Sequence, residues 1–101
     1  NGIVSGRVAI VKSLFDINKR ARNKIVAIAA TDTEHIGLIE EAAGLIVEEG
    51  GLSSHAAIAC MTLGKPIIGG ATDATELLLE DEQITLDVMR GLVYRGWVNL
   101  G

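Results

Sequence analysis

The stretch of sequence that decides the fold is GGLSSHAAI, at residues 50–58. Two glycines and two serines precede a histidine, which predicts a tight turn that opens a short helix at His55. Glycine lets a backbone turn sharply and lets a ligand approach it closely, and a serine can cap the helix. The free N–H groups of a first helical turn favour a phosphate, so His55 is the candidate phosphoryl acceptor. The predicted phosphate-binding residues are Gly50, Gly51, Ser53 and Ser54.

A structural role for His55 stays open at this point. The ring could simply bond to its own loop, and the two serines are caps under either interpretation. Glu48 either lies at a solvated strand end, the interpretation that we favour, or orients His55 through a ring nitrogen. We interpret His35 as an exposed structural residue and Cys60 as a small core hydrophobe.

Segments rich in apolar and β-branched residues predict the strands. These lie at 7–11, 24–29, 44–47, 67–68, 83–88 and 92–94. Gly96 is interpreted as a bulge that interrupts the last strand, and residues 12–23 as a loop. Asp87 and Arg90 have the chemistry of a turn.

Capping patterns predict three helices. The first begins near Thr31, runs to about Ala43 and stops at Gly44, and the second covers 55–63 with Gly64 as its C-terminal cap. A short third helix begins near Asp73 and includes residues 77–79. The alternation of strands and helices predicts an α/β fold, a compact single domain with a mostly parallel core sheet and flanking helices.

Composition excludes several classes of function. The 101 residues correspond to one domain, and the formal net charge of −4 argues against a nucleic-acid partner, which needs a basic face. The basic cluster at residues 19–24 is interpreted as solvated. No apolar run approaches the roughly 18 residues of a membrane span, so no membrane partner is expected.

The few cysteine and histidine residues further limit the kinds of site that the chain can form. The one cysteine cannot form an internal disulfide, which fits a reducing cytosol. Cys60 and two distant histidines are too few for a metal site, so no metal and no cofactor are expected in this fragment. The chain begins at Asn1 without Met, from which we predict that residues 1–101 are one domain of a longer chain.

The motif carries a resemblance to a known family. The order Gly50-Gly51-x-Ser53-x-His55, with LGKPIIG at residues 63–69, resembles the phosphohistidine signature of phosphoenolpyruvate-utilising enzymes. That family includes pyruvate phosphate dikinase, phosphoenolpyruvate synthase and enzyme I of the sugar phosphotransferase system. The resemblance extends from about Gly2 to Gly96 and implies a swivelling domain whose histidine shuttles the phosphoryl group.

Within the family, the chain looks most like the extra C-terminal domain of bacterial pyruvate kinases. The shuttling enzymes tend to carry arginine or another polar residue after the glycine pair, and an arginine beyond the histidine. Such arginines suit phosphate binding. Leu52 and Met61 stand there in this chain, which favours the pyruvate kinase branch. The stretches that carry this second resemblance are 39–42, 48–52, 54–57, 84–87, 90–91 and 93–94.

The resemblance implies a parent protein with several properties. A pyruvate kinase parent would transfer a phosphoryl group from phosphoenolpyruvate to ADP with Mg²⁺ and K⁺, in a cytoplasmic homo-oligomer, and this domain would pack against its catalytic domains. Two alternatives remain. One is a true phosphoryl carrier of a synthase, dikinase or enzyme I, with His55 as the phosphorylated residue; the other is a non-catalytic interaction or regulatory module.

Overall fold

The strands form a single mixed sheet. The computed structural model describes residues 2–12, 16, 20–50 and 55–97. The strands lie in the order β4-β3-β2-β1-β5-β6. Neighbouring strands from β4 to β1 are parallel. β5 pairs antiparallel with β1 and with β6. The predicted, mostly parallel core sheet is therefore confirmed. Their bounds are β1 Ile3–Val11, β2 Ile25–Ile28, β3 Gly44–Val47, β4 Ile67–Ile68, β5 Gln83–Asp87 and β6 Leu92–Arg95.

Three helices flank the sheet, as the sequence predicts. They are α1 (Ile36–Glu41), preceded by a 3₁₀ turn at Thr33–His35, α2 (His55–Leu63) and α3 (Ala74–Leu77). The bounds of α2 agree with the prediction. Gly64 follows α2 with a φ of +67°, a left-handed conformation that glycine adopts at little cost.

Strands β2 and β3 hold the centre because they are buried on both faces. Val26 and Ile28 point into a core that α1 and α2 cover, with Ile39 and Cys60 among its members. Alternate residues point the other way, so that Ile25 belongs to a second core on the opposite face. Parallel strands covered on both sides need continuous apolar sequence, and this requirement explains why these two strands were predictable.

The first helix differs from its prediction at both ends. Asp32, not Thr31, is the cap, and the helix ends at Glu41 because Ala42 is already extended, with a ψ of 148°. Gly44 is not a helix stop but the first residue of β3. A Cβ there would lie 3.3 Å from both the Pro66 carbonyl oxygen and Leu86 Cδ1, so close packing selects glycine at this position.

Three other boundaries were predicted wrongly. β1 begins at Ile3 rather than at residue 7, because its first half pairs with the distant β5. α3 stops at Leu77, since Leu78 is extended. Gly96 ends β6 instead of interrupting it, and its N–H donates to the Gln83 carbonyl at 2.6 Å.

Two glycine substitutions test this account of packing. We expect Gly44→Val to lower the free energy of unfolding by about 1–3 kcal/mol, because the added methyl groups overpack a filled site. Gly37→Ala is the matched control, since a Cβ at Gly37 meets nothing within 4 Å. It should raise stability by about 0.5–1 kcal/mol, the usual gain in a helix. Urea titrations measure both; a stabilising Gly44→Val would contradict the packing argument.

Candidate functional site

The site lies where the two central strands end together. Ile28 and Val47 are paired at the carboxyl ends of β2 and β3. The pairing continues past the strands, since the Glu48 N–H donates to the Ile28 carbonyl at 3.0 Å and the Glu49 N–H to the Ala29 carbonyl at 2.9 Å. The loops that leave this edge lead to Thr31 and His55. Ligands of α/β sheets bind beyond such carboxyl ends, as the sequence argument expects.

The central contact of the site joins these two residues. Thr31 Oγ1 lies 2.8 Å from Nδ1 of His55. Thr31 is buried, with 9% of its surface exposed, and His55 is half-buried at the start of α2. The hydroxyl therefore fixes one ring nitrogen and with it the orientation of the imidazole.

Sequence reasoning missed Thr31 as a site residue. It was interpreted only as part of a helix-capping pattern. Its position in the sequence could have identified it. Thr31 follows one buried strand and His55 follows the next, and neighbouring parallel strands direct the loops that follow them to one edge of the sheet.

Three of the predicted phosphate-binding residues lie outside the described residues: Gly51, Ser53 and Ser54. Gly50 is described and exposed. Its φ is not in the left-handed region, and a Cβ would make only an ordinary 3.7 Å contact with Gly70 Cα. The local backbone at Gly50 therefore does not require glycine, so close approach of a ligand stays the predicted reason for it.

Glu48 does not orient His55. Its carboxylate accepts hydrogen bonds from the backbone N–H and the hydroxyl of Thr75, at 2.9 and 2.7 Å. These bonds lower the pKa of Glu48, because they stabilise the ionised form. Glu48 thus joins the end of β3 to the first turn of α3. It lies at a partly exposed strand end, as the favoured interpretation has it, and only the orienting role was wrong.

His35 is buried, not exposed as predicted, with 8% of its surface accessible. Its Nδ1 accepts the Asp32 N–H at 3.1 Å, while the Asp32 carboxylate accepts the Glu34 N–H at 3.1 Å. This reciprocal arrangement is a capping box. Hydrogen bonding with Glu34 lowers the pKa of Asp32, and the nearby rings of His35 and His55 add to the effect. The box holds the loop that carries Thr31.

Two other residues behave as predicted. Cys60 is fully buried, and burial raises the pKa of its thiol to about 11, which makes it a core residue rather than a nucleophile. Asp87 accepts the Arg90 N–H at 3.3 Å, as turn chemistry requires.

Two features are absent from the part of the chain that the structure describes. No group of three or more metal-ligating side chains was found among the described residues. Within the same ranges, none of the helices has both the length and the apolar character that a membrane crossing requires.

Comparison with known proteins gives the family. The sequence pattern of the PEP-utilising enzyme mobile domain matches residues 21–91. The chain belongs to this family. The match covers every described element from β2 to β5 and includes both Thr31 and His55.

Relatives of this mobile domain include two groups of enzymes. The chain is 42% identical over 92 residues to a pyruvate kinase of Bacillus licheniformis, and the match covers 90% of this chain and 16% of that protein. It is 37% identical over 97 residues to a probable phosphoenolpyruvate synthase of Methanothermobacter thermautotrophicus, or 96% of this chain and 14% of that protein. The chain thus spans between about one eighth and one sixth of the length of the curated relatives it matches.

A solved structure shares the fold of the mobile domain. The solution structure of an enzyme I protein matches with a TM-score of 0.64 and 20% identity, covering 79% of this chain and 33% of that one. The likeness supports the swivelling-domain type of fold that the resemblance implies, and at this identity it shows the fold alone.

Protonation of Glu48 should weaken the mobile domain in acid. Because the folded pKa is lowered from the usual 4.5, ionised Glu48 stabilises the fold above pH 4.5, and this contribution is lost as pH falls through the folded value. We expect the melting temperature of the wild type to exceed that of Glu48→Gln at pH 7, with the gap closing below pH 4.5. Glu49→Gln controls for the change in net charge, and a gap equal at pH 7 and pH 3 would contradict the assignment.

Proposed function

We propose that this mobile domain carries a phosphoryl group on Nε2 of His55 between the catalytic domains of a longer phosphoenolpyruvate-utilising enzyme. The observation that carries the proposal is the 2.8 Å contact between Thr31 Oγ1 and His55 Nδ1. A carrier histidine needs one nitrogen held and the other available, and this contact occupies only Nδ1.

The contact is compatible with the tautomer suited to attack, because a threonine hydroxyl can accept as well as donate a hydrogen bond. When the proton is on Nδ1, the Nδ1–H donates to Thr31 Oγ1 and the lone pair remains on Nε2. The opposite tautomer would place the proton on the attacking nitrogen. The Thr31 hydroxyl thus accepts a hydrogen bond from Nδ1–H, and Thr31 is a positioning residue.

Transfer to His55 forms one bond and breaks one. The Nε2 lone pair attacks phosphorus, the bond from phosphorus to the donor oxygen breaks, and its electron pair leaves on that oxygen. The ring gains positive charge as the N–P bond forms, so the hydrogen bond from Nδ1–H to Thr31 becomes charge-assisted and strengthens. Positioning and charge stabilisation supply most of the catalysis in phosphoryl transfer.

The predicted turn completes the site in this proposal. N–H groups between Gly50 and His55 would hold the phosphoryl oxygens, aided by the positive end of the α2 dipole. Return transfer to a second catalytic domain reverses the same steps. The carrier itself has no turnover, because it needs two active sites outside this chain.

Substitution of Thr31 tests the role of its hydroxyl. Thr31→Val keeps the shape and removes the acceptor, whereas Thr31→Ser keeps the acceptor. In the full polypeptide, we expect acid-labile labelling of His55 by ³²P-phosphoenolpyruvate to slow about 10- to 100-fold in Thr31→Val, as expected for a lost hydrogen bond of roughly 1.5–3 kcal/mol to a charged group. Thr31→Ser should stay within about threefold of wild type. Equal rates for Val and Ser would refute the positioning role.

A second candidate is the non-shuttling module of a pyruvate kinase. The 42% identity to the Bacillus licheniformis protein favours it, as does the presence of Leu52 and Met61 where shuttling relatives tend to carry arginine. In this version His55 stays unphosphorylated and the parent transfers phosphoryl from phosphoenolpyruvate to ADP in other domains. Mg²⁺ and K⁺ would then be bound by those domains.

Removal of the ring separates the two candidates. In a carrier, His55→Ala should abolish turnover of the full polypeptide, because the two half-reactions share no other intermediate. In a pyruvate kinase, the same change should leave the rate of pyruvate formation with ADP largely intact. His35→Gln is the control at the other histidine of the chain, since glutamine can replace the back-bonding side chain of a capping box. Turnover assays on folded variants decide between them.

A further inference from the structure

The ring nitrogen of His35 that completes the capping box faces two groups at once. Nδ1 accepts the backbone N–H of Asp32 at 3.1 Å, and it lies 3.3 Å from Oδ1 of the Asp32 carboxylate. The residue is buried, with 8% of its surface accessible. One nitrogen therefore lies within reach of a donor and of an acceptor, and its protonation decides which of the two it can bond.

The bond from the Asp32 N–H requires a neutral ring. A backbone N–H can donate to Nδ1 only while that nitrogen carries a lone pair. A protonated Nδ1 is itself a donor, so it bonds to the carboxylate instead and leaves the Asp32 N–H without its acceptor. The same carboxylate oxygen accepts the Glu34 N–H at 3.1 Å, so the protonated ring also competes with the other half of the capping box.

The bond to His35 fixes the backbone directly after Thr31. The Asp32 N–H belongs to the planar peptide group that joins Thr31 to Asp32, so this bond holds the carbonyl end of Thr31. Thr31 Oγ1 in turn lies 2.8 Å from Nδ1 of His55. Hydrogen bonds weaken steeply as their geometry departs from the preferred distance and angle. A shift of this peptide group therefore weakens the hold of Thr31 on the His55 ring.

We propose that His35 is a positioning residue for phosphoryl transfer to His55, and that it positions only as the neutral ring. Neutral His35 holds the peptide group between Thr31 and Asp32, and Thr31 holds the imidazole of His55. Protonation of His35 moves its bond from the peptide N–H to the carboxylate and releases Thr31. The inference rests on the proposed function, because the rate that it controls is the rate of that transfer.

Asp32 supplies the carboxylate that lies against the His35 ring. The other carboxyl groups of this turn and of α1 are exposed to solvent: Glu34, Glu40 and Glu41. α2, which packs against α1, contributes His55 and the buried thiol of Cys60, while strands β2 and β3 contribute no titratable side chain. Because histidine changes charge between about pH 5 and 8, the pH of an experiment selects between the two bonds of Nδ1.

Two variants of His35 in the full polypeptide separate positioning from packing. His35→Gln keeps a side-chain acceptor that does not titrate, whereas His35→Leu keeps apolar bulk and has no acceptor. At pH 8 we expect labelling of His55 by ³²P-phosphoenolpyruvate to stay near the wild-type rate in His35→Gln and to slow about fivefold in His35→Leu, as expected for one lost neutral hydrogen bond. Equal rates in Gln and Leu variants that fold would overturn the positioning role.

The pH profile distinguishes positioning from a merely structural role. Wild type and His35→Gln both lose rate in acid as His55 itself becomes protonated, so the ratio of their rates largely cancels that loss. We expect the wild-type rate, divided by the His35→Gln rate, to fall at least threefold between pH 8 and pH 5.5. A ratio that stays constant would overturn the proposal, even where His35→Leu fails to fold.

Hydrogen exchange at the Asp32 amide follows the change of partner without any phosphoryl transfer. We would measure it in the full polypeptide by residue-resolved mass spectrometry and correct for the intrinsic pH dependence of exchange. Protection of this amide should fall at least threefold between pH 8 and pH 5.5 in wild type and stay constant in His35→Gln. Equal protection factors in both proteins at both pH values would contradict the proposal.

The carboxylate of Asp32 is tested by removing its charge. Asp32→Asn keeps a capping oxygen for the Glu34 N–H but takes away the anion that receives the protonated ring. We expect the loss of protection at position 32 to begin at a lower pH in Asp32→Asn than in wild type. Glu34→Gln makes the same change in net charge on the same turn and should leave that pH unchanged. An identical profile in Asp32→Asn and wild type would overturn the exchange of partners.

The two proposals fail in different ways. Label on His55, with rates and protection that have the same pH dependence in wild type and His35→Gln, would refute the positioning role and support the carrier. Loss of Asp32 protection in acid, in a wild type whose His55 takes no label, would refute the carrier and leave the control of Thr31 by His35 standing.

Discussion

The parallel pairing of β2 with β3 is the constraint on which the rest of the structure depends. All eight residues of these strands are buried, so their backbone groups must be satisfied by the ladder and no polar side chain fits between their ends. The register places Ile28 opposite Val47, and both strands leave the core at the same level. Polar side chains follow only after these strand ends, so the loops that lead to Thr31 and His55 leave the sheet at the same edge.

The hydrogen bond between Thr31 and His55 is held from both sides. Thr31 precedes the capping box of Asp32 and His35, whose bonds order its loop. His55 opens α2, and the buried Ala56 and Cys60 fix that helix on the sheet. Support from both sides fixes the orientation of the ring, as the proposed carrier role would require.

The part of the fold that the sequence could predict is the part decided by neighbouring residues. Apolar runs identified β2 and β3, and Gly64 with Pro66 marked the end of α2. The partners of Thr31 and Glu48 could not be predicted, because their hydrogen bonds join residues 24 and 27 positions apart. The first half of β1 was missed for the same reason, because its partner β5 is distant in sequence. The burial of His35 was missed although its partner Asp32 is only three residues away. The choice of His55 itself came from a local motif, and its acceptor role stays a prediction.

The long β1 strand has a consequence for the synthesis of the protein. Ser5 pairs with Thr85, 80 residues later, whereas the second half of β1 pairs with the nearby β2. At ribosomal rates of about 5–20 residues per second, roughly 4–16 s pass before β5 exists. During that interval the four-stranded parallel unit of β1 to β4 can assemble while the start of β1 presents an open edge. Such an edge can pair with another chain. A newly made copy of this domain is thus open to aggregation until the β5–β6 hairpin emerges.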